Sequence, residues 1–189
     1  MTPALWHPFR GHGRRTLVAL AMASLTSVLG LVSSGGAAQA ATSPTSGGKS
    51  ITFPVQMLRT ASGQLKPMAA GAAVPAADEV IINYCTTQVN NPHESGHNPG
   101  AVNVTGTTTC SPYTFTESYL TIELFYNGRD YYWGQHYQAD SLYNQANAAG
   151  PCYAGSWYAV LDYTIYFGPT WVPNEASGEL VSNTVPITC

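Results

Sequence analysis

The stretch from Cys152 to Cys189 constrains this chain more than any other. It reads as a long strand, a turn and a returning strand, with a cysteine at each end. Gly155 to Phe167 and Gly178 to Cys189 are dominated by aromatic and β-branched residues, which is strand composition. Gly168 to Asn174, carrying two prolines, is the turn between them. Regular pairing from a Cys152–Cys189 bond sets Val160 opposite Val181 and Ser156 opposite Val185. The more apolar side, Trp157, Leu161, Tyr163 and Ile165, then faces Thr184, Leu180 and Gly178. Either both faces are partly buried or a bulge near Gly155 shifts the register.

Strand signals also recur upstream, with turn signals between them. Val80 to Val89 is a strand, Asn90 to Gly100 a loop bounded by Asn-Pro pairs, and Ala101 to Cys110 the return. Tyr119 to Tyr126 alternates most clearly, with Leu120, Ile122 and Leu124 against Thr121 and Glu123. Asn127-Gly128 is the strongest short hairpin signal, so Asp130 to Tyr137 should pair back. Ser141 to Ala149 is ambiguous between a strand and a turn of helix. About seven short strands and no convincing helix predict an all-β fold, a single immunoglobulin-like β-sandwich, with a small barrel as the rival.

The sandwich is expected to occupy residues 78–189. Before it, residues 1–40 have the organisation of a signal peptide: Arg10, Arg14 and Arg15, an apolar run from Thr16 to Val32, and Ala38-Gln39-Ala40 as a small-x-small cleavage site. An uncleaved anchor is the alternative, on a run short for a membrane span. Residues 41–77, rich in Ala, Gly, Ser and Pro, read as a disordered linker or pro-segment, within which Ile51 to Leu58 is briefly apolar and could be a stray strand.

Removal of the leader leaves four basic residues, Lys49, Arg59, Lys66 and Arg129, against all ten acidic ones. So few cations give no footprint for nucleic acid, and none for an anionic membrane once the leader is cleaved. The even set of Cys85, Cys110, Cys152 and Cys189 behind a leader predicts two disulfides and an extracellular protein. No C-x-x-C pair supports zinc. Bonds 85–110 and 152–189 would each clamp a hairpin at its base, stabilising by roughly 3–4 kcal/mol apiece. Cys110–Cys152, the inter-sheet bond of antibody domains, is the rival. Against it, Gly150 stands where the tyrosine corner would put a tyrosine.

Pro92-His-Glu-Ser-Gly-His-Asn-Pro-Gly-Ala-Val-Asn-Val104, flanked by Cys85 and Cys110, resembles the P-H-x-S-x-H-x-P-G-x-V-N-V pattern of a family of small secreted actinobacterial proteins with two disulfides. Cys152 to Trp157 and Val185 to Cys189 are similar to that family's second cysteine hairpin. The resemblance covers roughly residues 80–189. It implies secretion and a disulfide-bonded β domain, and it implies no activity.

His93-Glu94-Ser95-Gly96-His97 matches H-E-x-x-H by letter. In zinc peptidases that spacing works because a helix puts both histidines on one face. Pro92, Gly96 and Pro99 oppose a helix here, and a third ligand is not evident. A structured loop is therefore the expectation, with a zinc peptidase the distant third reading of function. G-x-S-x-G is absent, and Glu117 and Glu123 read as surface carboxylates. No catalytic residue, metal or cofactor is expected. Aromatic rings are the stronger candidates for binding. Tyr131, Trp133 and Tyr137 crowd one strand, and Trp171, between prolines in a turn, is expected to be the most exposed ring. Packing of Trp133 in the core, with tyrosines lining the strands, is the plain alternative. Two classes of function remain: a secreted, non-catalytic interaction or structural domain with an unknown protein partner, or a carbohydrate-binding module that takes a glycan on exposed Tyr and Trp.

Overall fold

A computed structural model describes residues 41–45, 47–68 and 71–189. The signal-peptide assignment, 1–40, lies outside the described residues. Among those residues every regular element is a strand. Two antiparallel sheets form a sandwich-like arrangement. The described residues form twelve strands rather than seven, because residues 41–67 add β1, β2 and β3 and the later chain adds two short strands, β5 and β12.

The first sheet, sheet A, is built on β2 (Gly48–Arg59), β4 (Glu79–Asn90), β6 (Ala101–Ser111) and β9 (Tyr143–Pro151), in that spatial order. The outer edge of β2 is lined by β1 (Ala41–Thr45) at one end and β3 (Leu65–Pro67) at the other. Two-residue β5 (His93–Glu94) pairs with β6 beyond the point where β4 leaves it at Val89. The second sheet, sheet B, runs β8 (Arg129–Ser141), β7 (Phe115–Tyr126), β10 (Gly155–Tyr166). The far edge of β10 is shared by β11 (Glu175–Val181) and β12 (Val185–Ile187).

The alternation that marks Leu120, Ile122 and Leu124 as inward is observed: all three are buried. They meet Trp157, Leu161 and Ile165 of β10 within sheet B, and Val55, Val89, Val102 and Val104 of sheet A across the core. Cys85 and Cys110 lie directly opposite each other in β4 and β6, Cα atoms 4.0 Å apart, and are bonded. Cys152 and Cys189 are bonded at 5.9 Å. Both hairpin pairings are therefore present, and Cys110–Cys152 is not. Asn127 and Gly128 have positive φ, 48° and 77°, as a type I′ turn requires of both central residues.

Residues 41–77 depart from the linker expected of them. β2 pairs with β4 over its whole length, and Val55 and Met57 are core residues. Pro54 lies in mid-strand, a position that proline tolerates only where its nitrogen owes no ladder bond. The reason it is tolerated lies in the phase of the ladder. Gln56 exchanges both backbone hydrogen bonds with Val172 on the outer side of β2, at 2.9 and 2.7 Å. Residue 54, two positions earlier, points its nitrogen the same way, away from β4, so its missing N–H costs no bond in the β2–β4 ladder. The sandwich thus begins well before Asp78.

The final hairpin resolves its register as neither expected alternative did. Val160 faces Val181, but Ser156 faces Pro186. The extra residue sits in the return arm at Ser182 to Thr184, not near Gly155. There the Ser182 hydroxyl accepts from the Ala159 N–H at 2.9 Å, and the Ser182 N–H donates to the Ala159 carbonyl at 2.8 Å. The slip sets Val185 opposite the buried Trp157.

The two sheets also approach each other along β8 and β9. A Cβ on Gly134 would stand 1.8 Å from the Asn147 carbonyl oxygen, so only glycine admits this contact. Asn144 ties the seam from within. Its amide donates to the Ser118 carbonyl and hydroxyl at 2.9 and 3.1 Å, and its oxygen meets His136 Nδ1 at 2.6 Å.

A candidate binding face on the outer side of sheet B

Side chains alternate across a strand, so the register defines which residues share the outer face of sheet B. One row runs Tyr137, Tyr119, Thr164, Ser177 across β8, β7, β10 and β11. The next is Gln135, Thr121, Asp162, Glu179, and the third is Trp133, Glu123, Val160, Val181.

Trp133 is 61% exposed and Tyr137 50%, so of the predicted rings these two do lie together on one open surface. Four residues apart on one strand, their Cα atoms are separated by roughly 13 Å. Tyr119, 44% exposed, packs on Tyr137 with centroids 4.8 Å apart, and Tyr166 meets Tyr119 edge-on at 6.1 Å. The Tyr119 hydroxyl donates to Glu117 at 2.8 Å. That bond, first among the causes, pushes its pKa up to about 12 and holds the ring in place. Phe125 and Tyr158 stack at 4.7 Å at the other end of the face.

The remaining predicted rings go elsewhere. Trp133 is not a core residue; Trp157 takes that place. Trp171 is 8% exposed and is not the most exposed ring. The loop that carries it folds back to bridge β2 through Val172, which lays Trp171 against Tyr113 at 5.5 Å. Tyr131 is half-buried. A bulge between Leu124 and Phe125 makes it the extra residue of β8 and turns it away from Trp133. It joins Tyr126, Tyr153 and Trp157 at one end of the sandwich. Burial, then a hydrogen bond with Tyr153, raises its pKa to about 12. A cavity of about 500 Å³ lined by Tyr126, Asn127, Arg129, Asp130 and Tyr131 opens beside it. Tyr119 and Tyr166 are the members of the face that sequence reasoning missed. The alternation from Leu120 already implied that Tyr119 points outward.

The H-E-x-x-H segment is strand and loop. His93 and Glu94 form β5, pairing with Asn103 and Val102, and the Ser95 hydroxyl accepts from the Asn98 N–H at 3.1 Å to hold the following turn. Successive residues of a strand point to opposite sides, so the helical register that would put His93, Glu94 and His97 on one metal is not formed. Among the described residues no cluster of three or more His, Cys, Asp or Glu side chains could hold a metal ion.

The polar groups between the rings of sheet B are available to a ligand. Among the described residues, Gln135, Asp162 and Glu179 have no hydrogen-bond or ion-pair partner within the chain. Rings to stack on and free amide and carboxylate groups to hydrogen-bond thus share one flat surface. No family model, curated protein or solved structure matches this chain.

Proposed function

We propose that the protein is an extracellular, non-catalytic binding domain that takes a glycan on the outer face of sheet B. The observation that carries this reading is the exposure of Trp133 on the same face as the Tyr119–Tyr137 pair, with unpartnered Gln135 and Asp162 between them. Planar rings present apolar faces suited to the C–H side of a pyranose, and neighbouring amides and carboxylates suit its hydroxyls. Rings held on paired strands lose little freedom on binding. Secretion is supported by the signal-like leader and by two disulfides, which persist in oxidising compartments. The resemblance to small secreted actinobacterial proteins points the same way.

The experiment is a glycan array with the intact secreted protein beside its Trp133→Ala variant. Signal from the former that the variant loses, at an unchanged melting temperature, supports the reading. A blank array combined with capture of a protein through the same face would replace the glycan with a protein partner.

A further inference from the structure

We propose that the glycan is a polycation: a polysaccharide with free amino groups on its sugar rings. This rests on the reading of sheet B as a glycan-binding face and adds the chemical class of the ligand. Five of the ten carboxylates, Glu117, Glu123, Asp162, Glu175 and Glu179, share the outward parity of β7, β10 and β11. None of the four basic residues that follow the leader lies among them. Lys49, Arg59 and Lys66 belong to β2 and β3 of sheet A, and Arg129 opens β8 beside the hairpin turn. Asp162 and Glu179 stand directly opposite each other in the ladder. That places their Cβ atoms about 5 Å apart, an arrangement that destabilises a sheet. Glu123 is the diagonal neighbour of Asp162, next to Trp133 across the β7–β8 ladder.

A neutral glycan would gain hydrogen bonds here but would leave the opposed Asp162 and Glu179 charges uncompensated. An anionic one would be repelled. An ammonium group on a sugar stacked over Trp133 or Tyr119 reaches the Glu123 and Asp162 rows, where each amine replaces a carboxylate–carboxylate repulsion with an attraction. The rings favour a sugar over a basic peptide because they are spread over two rows with polar groups between them, a layout that fits repeated flat units.

The test uses the full secreted chain and isothermal titration with chitosan oligosaccharides, fully N-acetylated oligosaccharides of equal length, cello-oligosaccharides and polylysine. Chitosan oligosaccharides should bind at least tenfold more tightly than the N-acetylated ones, and that margin should shrink as salt is raised. Asp162→Asn with Glu179→Gln should abolish the margin between the two series, while Trp133→Ala should weaken both. Equal or tighter binding of the N-acetylated or cello series overturns the inference and leaves the glycan reading standing. Polylysine binding as tight as chitosan, and insensitive to Trp133→Ala, overturns it in favour of charge alone. Absence of binding to every saccharide removes the glycan reading itself.

Discussion

The outer faces of the two sheets share a backbone geometry and face away from one core, yet their side chains are organised in opposite ways. On sheet A the central rows are Thr52, Thr86, Thr109, Tyr143 and Gln88, Thr107, Gln145, with no charged residue among them. Several of their polar groups bond to one another or to the neighbouring row. Thr52 and Thr86 hydroxyls meet at 2.8 Å, Thr105 donates to Asn147 at 2.9 Å, Gln145 donates to Asn147 at 3.1 Å, and Tyr143 donates to Gln145. On sheet B the corresponding positions hold open rings, and carboxylates set against one another. A face whose hydrogen bonds are spent internally stabilises its own sheet. A face with unpartnered groups and opposed like charges carries a cost that a ligand can relieve.

The largest expected effect tests whether the faces are independent. Replacing Cys85 and Cys110 together by alanine removes the buried bond of sheet A and should lower stability by about 3 kcal/mol or more. Urea denaturation reads the loss. Ligand binding on sheet B, measured well below the melting temperature, should not change. Lost binding in a still folded variant would show that the faces are coupled. Next comes the seam. Gly134→Ala forces a Cβ against the Asn147 backbone and should cost roughly 1–3 kcal/mol by the same denaturation measurement, since a carbonyl cannot rotate aside as a side chain can. A neutral result would mean that β8 and β9 stand further apart than described.

Tyr137→Ala removes a partner of Tyr119 and should reduce ligand affinity by roughly tenfold, about 1.4 kcal/mol, with little change in stability. The reverse pattern would assign the ring to packing. Asp162→Asn should raise stability by about 0.2–1 kcal/mol by relieving the repulsion with Glu179. A fall in melting temperature would mean that the pair is not repulsive. The smallest effect is expected on the other face: Thr86→Val deletes one half-exposed hydroxyl bond, should cost about 1 kcal/mol or less, and should leave ligand binding alone.

Much of the strand pattern was legible because its causes are local. Asn127-Gly128 requires only a two-residue turn, and Leu120, Ile122 and Leu124 require only a half-buried strand. What could not be read depended on distant partners. Pro54 fits β2 because its nitrogen faces away from β4, a phase set by the β2–β4 pairing and by where Val172 docks, and neither is visible near residue 54. Of the tryptophans, Trp171 was expected exposed and is buried, while Trp133, weighed both as a binding ring and as a core residue, is exposed. Trp133 lies beyond a bulge that resets the parity of β8, and a proline-flanked turn hides Trp171 only because that turn folds onto sheet A. The candidate site was half legible: its rings were singled out by composition, but the face they share is set by cross-strand register.

The bridge from Val172 to Gln56 bears on how this protein behaves in a crowd. A sandwich normally offers strand margins onto which another chain can add. Here the margin of β2 carries β1, the single bridge to Val172 and β3 in turn, and the margin of β10 is divided between seven-residue β11 and three-residue β12. On the opposite flank β8 and β9 lie against each other at Gly134. Among the described residues the margins of β2 and β10 are covered by short pieces in place of one long open strand, so copies concentrated on a polymer surface should not zip together through these two margins.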